Sequence, residues 1–99
     1  MPVFCVVFEL GPFGKRDYAG ISRGLELVGP ACEVSHGTWL VKAETQSEVW
    51  AVIDPTATTH DSFVTFRLAD RPEWSVQGGM DEIRSARVAE WLELHFPEG

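Results

Sequence analysis

The chain has 99 residues, a formal charge of −7 and a 44% hydrophobic fraction, which together fit one folded acidic domain and exclude a disordered chain. Its longest apolar runs, Val3–Phe8 and Phe63–Phe66, fall far short of the ~18 residues a membrane span needs, so no membrane partner is expected. The absence of a basic leader with a cleavable apolar stretch points to a cytoplasmic protein, and fifteen acids against eight bases disfavour a general nucleic-acid coat.

Val3 to Leu10 reads VFCVVFEL, a continuous β-branched and aromatic run that predicts a central strand covered on both faces. Gly11-Pro12 and Gly14 break it. Asp17 is placed to cap a helix in which Tyr18, Ile21, Leu25 and Val28 recur at three- and four-residue steps, and Gly29-Pro30 stops it. Gly20 and Gly24, four apart, share a face of that helix and would permit a close approach to the sheet or to a partner, or simply make it a weak helix held by packing. Ala31–His36 and Thr38–Ala43 read as two strands with Gly37 at their turn.

Thr45-Gln46-Ser47-Glu48 matches a capping box ahead of Val49, Trp50, Val52 and Ile53, and Pro55 limits that helix to two or three turns. After a polar loop, Ser62–Leu68 is a fourth strand. Trp74 to Gly79 reads as a short extended piece, and a terminal helix follows from Met80 with Met80, Ile83, Val88, Trp91 and Leu92 as its apolar stripe.

The order β-α-β-β-α-β plus a helix predicts an α+β, ferredoxin-like sandwich filling residues 1–99 as a single domain with an additional C-terminal helix. In that topology the first strand lies between the third and fourth, and the second is an edge. Cys5 and Cys32 would then stand roughly 9–10 Å apart, beyond the ~7 Å that a disulfide spans, and are expected to be free thiols.

The opening VVFEL, the loop Lys15-Arg16-Asp17-Tyr18, the stretch Ser35-His36-Gly37-Thr38-Trp39-Leu40-Val41, Asp61-Ser62-Phe63-Val64, Trp74 and the closing Ala89-Glu90-Trp91-Leu92 carry a family resemblance. Over nearly the whole chain, about Val3 to Phe96, this pattern resembles the SinR-like branch of the CRISPR-associated protein 2 superfamily, which also contains the VapD-type toxins. The stretch Val76–Ile83 departs from it. The resemblance implies a homodimer that handles DNA or RNA, either as a Mg²⁺-dependent endonuclease or as an inactive scaffold. Glu9 takes the position of the family's catalytic, metal-binding aspartate; its longer side chain moves the carboxylate by over an ångström, which disfavours a retained site.

Physically, a carboxylate ending a strand could hold Mg²⁺ with waters and a dimer mate, or be an ordinary rim acid. Lys15, Arg16 and Arg23 are the N-terminal basic cluster and the candidate phosphate contacts, or else a solvated helix face. His36, His60 and His95 lack metal spacing and read as surface or capping residues, although His60-Asp61 could be brought near Glu9. The four tryptophans read as packing residues, with Trp74 the candidate at a dimer interface. A dimer would carry −14, twice −7, which opposes attraction to nucleic acid. The second reading is therefore a non-enzymatic homodimeric module with a protein partner, in a mobile-element or toxin–antitoxin setting and without a cofactor.

Overall fold

A computed structural model describes residues 1–11, 18–55, 57, 61–77 and 82–96. Its elements are β1 (Val3–Glu9), α1 (Tyr18–Val28), β2 (Ala31–Ser35), β3 (Thr38–Lys42), α2 (Gln46–Ile53), β4 (Ser62–Arg67) and α3 (Glu82–His95). The strands form one sheet in the order β2-β3-β1-β4, each neighbouring pair antiparallel. This is the ferredoxin-like arrangement expected from the order of elements, with a third helix added at the C-terminal end.

Alternation along β1 divides the core in two. Phe4, Val6 and Phe8 point to the α1/α2 side, where they pack with Ile21, Leu25, Trp39, Val41, Val49 and Ile53. Val3 faces the other side with Cys32 and Leu40, where Val88, Leu92 and Phe96 close a second cluster. Cys5, Trp74 and Trp91 pack at its margin, half-buried. Both cysteines are free, on either side of Leu40 in the sheet.

Three local features follow the sequence closely. Gly37 has φ +88°, the left-handed turn conformation that a residue with a Cβ adopts only at a cost. A Cβ there would also stand 2.4 Å from the Phe8 carbonyl oxygen, so the hairpin turn lies flush against β1. Gly24 lets α1 approach α2, since a Cβ at that position would come within 2.3 Å of Val52 Cγ1. Thr45 caps α2 through its hydroxyl, which accepts from the Glu48 N–H at 3.4 Å. The reciprocal half of the capping box is shifted by one residue, because the Glu48 carboxylate accepts from the Glu44 N–H at 3.1 Å. The amide of Gln46, in the first turn of α2, donates to the Thr65 carbonyl at 3.4 Å and to the Thr65 hydroxyl, tying that helix to the outer strand β4.

Two expectations are corrected. β1 is central but is not covered on both faces along its length: α3 packs over β2, and Val7 is left 39% exposed beside Val64 (47%) and Phe66 (55%) of β4. In α3 the buried positions are Val88 and Leu92, while Ile83 is 70% exposed, about 140° round the helix from Val88. Residues 72–77 carry no regular secondary structure; Trp74 and Val76 among them pack against the second cluster. The expected Asp17 cap, and Met80 of the expected stripe, lie outside the described residues.

Candidate functional site at the end of the first strand

β1 ends in a shallow hollow of about 450 Å³ lined by Val7, Phe8, Glu9, Tyr18, His36, Gly37, Thr38, Ser62 and Val64. The floor is the sheet itself, where Val7 pairs with Thr38 on one side and Val64 on the other, and Glu9 pairs with Ser62. Glu9 shares the face of Cys5 and Val7 by the two-residue period of the strand. Its side chain is exposed, at the rim of the uncovered half of the sheet.

The chain leaving β1 is fixed by two side chains from distant elements. The Leu10 N–H donates to the Tyr18 hydroxyl of α1 at 3.2 Å, and the buried Gly11 N–H donates to Asp61 Oδ1 at 2.8 Å. Tyr18 in turn packs against Phe8, with ring centroids 5.6 Å apart, and against His36 of the β2–β3 turn at 4.2 Å. The backbone from Glu9 to Gly11 is therefore held at three successive residues: Glu9 by the β4 pairing, Leu10 by the Tyr18 hydroxyl and Gly11 by Asp61. The side chain projects from this frame into solvent, so the hollow positions Glu9 without desolvating it.

The sequence-derived candidates separate in the fold. Glu9 lies in the hollow; Arg23 is exposed on α1. Lys15 and Arg16 lie outside the described residues, as does His60. Trp74 is half-buried against its own second cluster. Asp61 does come to the end of β1, where its carboxylate serves the Gly11 amide. Tyr18 and His36 are site residues that sequence reasoning did not assign there. Their signal was faint: Tyr18 looked like one more apolar position of α1, and only the fold brings its hydroxyl to β1.

A Mg²⁺ ion asks for near-octahedral oxygen coordination with one or two carboxylates. Among the described residues, no group of three His, Cys, Asp or Glu side chains is arranged to hold a metal ion. Among the described residues, the Glu9 end offers one exposed carboxylate with hydroxyl and imidazole neighbours, and the half-buried Asp61 carboxylate close by accepts from the Gly11 N–H, which falls short of a metal-ligand set. His95 lies elsewhere, its ring tilted against Trp91 with centroids 4.2 Å apart; burial and the Lys42 charge push its pKa below the ordinary value. Among the described residues, no helix is long and apolar enough to cross a membrane. No protein-family model, curated protein or solved structure matches this chain.

Proposed function

We propose that this protein works as a homodimeric, nucleic-acid-associated scaffold of the kind its sequence resembles, the CRISPR-associated protein 2 superfamily, and that it is not a nuclease. The supporting observation is the uncovered half of the sheet. Val7, Val64 and Phe66 form one exposed apolar strip, a feature that marks contact surfaces on small folded domains. Glu9 continues this strip at one end, and a two-fold axis running along the strands would bring the Glu9 side chains of two copies to the same rim. Among the described residues, Glu9 is the one carboxylate lining this hollow, and its side chain is longer than the family's aspartate, which supports the non-catalytic form of this reading.

Light scattering tests the dimer, and a Phe66→Asp chain should be shifted towards monomer. Incubation with RNA and double-stranded DNA in Mg²⁺ or Mn²⁺ should give binding without cleavage. Cleavage abolished by Glu9→Ala would overturn the scaffold reading in favour of a nuclease. The acidity of the chain favours a second reading, a homodimeric module with a protein partner, because a dimer of charge −14, twice −7, repels polyphosphate. An intact dimer that binds neither nucleic acid at low salt would select that reading.

A further inference from the structure

The strongest uncommitted feature is the outward side of α3. Ile83 and Leu94 are 70% and 74% exposed, large apolar side chains three helical turns apart. Arg87 and Glu90 lie between them, both exposed. At 3.6 residues per turn, the four positions fall within about a sixth of the helix circumference. They form a stripe distinct from the buried Val88 and Leu92. All four border a groove of about 950 Å³ that runs beside the β2 edge, with Ser22 and Glu26 of α1 on its far wall.

The order along this stripe is apolar, basic, acidic, apolar, symmetric in position and opposite in charge about its centre. Ile83 and Leu94 are equidistant from a point midway between Val88 and Ala89, and so are Arg87 and Glu90. A two-fold axis through that point lays a second α3 antiparallel on the first. Ile83 then meets the partner's Leu94, Arg87 meets the partner's Glu90, and the same two contacts recur on the other side of the axis. A parallel arrangement would instead oppose arginine to arginine and glutamate to glutamate. Isologous contacts require a surface complementary to itself, and this stripe meets that condition in both polarity and sign.

We infer that α3 is a self-association surface whose occupant is the α3 of a second copy, paired antiparallel through Ile83, Arg87, Glu90 and Leu94. This goes beyond the proposed sheet-to-sheet dimer, because the stripe lies on the outer side of α3 and not on the uncovered strands. With both contacts present, sheet-paired dimers join further through α3, and the groove beside β2 gives the partner's Ile83 and Leu94 room to settle.

The test is sedimentation equilibrium of the full chain, from low to high micromolar, on wild type and on Arg87→Glu, Glu90→Arg and the double exchange. The substituted residues are exposed, and circular dichroism confirms that each variant is folded. Wild type should reach masses above a dimer. Either single reversal turns two attractive cross-pairs into repulsive ones and should weaken the α3 step by at least about fivefold, given the modest strength of exposed ion pairs. The double exchange restores opposite charges across the axis and should restore the wild-type mass. Two results would overturn the inference: single reversals without effect, or a double exchange that stays dissociated. Phe66→Asp separates the two contacts. If it dissociates the protein fully while the charge reversals change nothing, the sheet dimer stands and the α3 contact falls. If Phe66→Asp leaves a dimer that Arg87→Glu breaks, the α3 contact holds independently.

Discussion

Replacing Gly24 with alanine tests how closely the two helices on the sheet are packed. The added Cβ would stand 2.3 Å from Val52 Cγ1, with Val52 Cβ at 3.5 Å and Cγ2 at 3.6 Å. Ordinary carbon contacts begin near 3.5 Å, so α1 and α2 must separate or Val52 must turn. Turning is costly, because a β-branched side chain in a helix keeps one strongly preferred χ1. Separation loosens Ile21 and Leu25 from Val49 and Ile53, all 0–1% exposed. Overpacking of this kind costs about 1–3 kcal/mol, while exchanging glycine for alanine inside a helix returns about 1 kcal/mol.

The expected net effect is a loss of up to about 2 kcal/mol, which lowers Tm by roughly 4–8 °C per kcal/mol in a domain of this size. In a Val52→Ala background both Cγ atoms are gone, and Val52 Cβ at 3.5 Å was already at ordinary contact distance. There Gly24→Ala should stabilise by up to about 1 kcal/mol. The two backgrounds should thus differ by about 1–3 kcal/mol, the overpacking cost itself, in a double-mutant cycle read by urea unfolding and far-ultraviolet circular dichroism. Equal effects in both backgrounds, or a stabilised Gly24→Ala single mutant, would refute the close approach.

Three further outcomes are expected. Gly37→Ala forces a Cβ onto the Phe8 carbonyl at φ +88°, and urea unfolding should show a loss of more than about 2 kcal/mol; a loss under half that size would argue against the tight turn. Asp61→Ala strips the acceptor from the buried Gly11 N–H and should cost about 1–3 kcal/mol, whereas Asp61→Asn, which keeps an oxygen, should recover most of it; equal losses in both would show that the carboxylate charge, not the hydrogen bond, matters. Burial pushes the Cys5 thiol up, and burial with the Glu33 charge does the same for Cys32 against an opposing pull from Arg87. The folded state therefore holds its thiol protons longer than the unfolded chain. That contribution to stability is fully present below the ordinary thiol pKa of 9.0 and is lost as pH rises through the raised folded values. Substituting both cysteines with valine should flatten the alkaline decline in unfolding free energy, and an unchanged slope would contradict the assignment.

Much of the fold was legible because its determinants are local. The run Val3–Leu10, the Gly37 turn, the Thr45 cap and the glycine-proline stop after Val28 each lie within a few residues of the element they define. The coverage of the sheet's second face was not legible, since it depends on where a helix some seventy residues after β1 comes to rest. Ile83 shows this well: its spacing from Val88 and Trp91 admitted it to an apolar stripe, yet the seat of α3 on β2 turned it outward. The candidate site divides in the same way. Glu9 at a strand end could be read from the strand alone. The pins on its backbone could not, because the Asp61 carboxylate and the Gly11 amide are fifty residues apart.

The bond from Gln46 to β4 has a consequence for the behaviour of this protein in concentrated solution. The Leu68 N–H donates to the Val3 carbonyl, which sets the ladder so that Phe63, Thr65 and Arg67 present their backbone groups away from β1. An outer strand that turns backbone groups away from its sheet and carries exposed apolar side chains such as Val64 and Phe66 is a template for pairing with another chain. The Gln46 amide occupies the Thr65 carbonyl, the middle acceptor of that row. An incoming strand must displace it before the ladder can extend past Thr65, so one uncharged side chain on a neighbouring helix stands in the way of edge-to-edge pairing there.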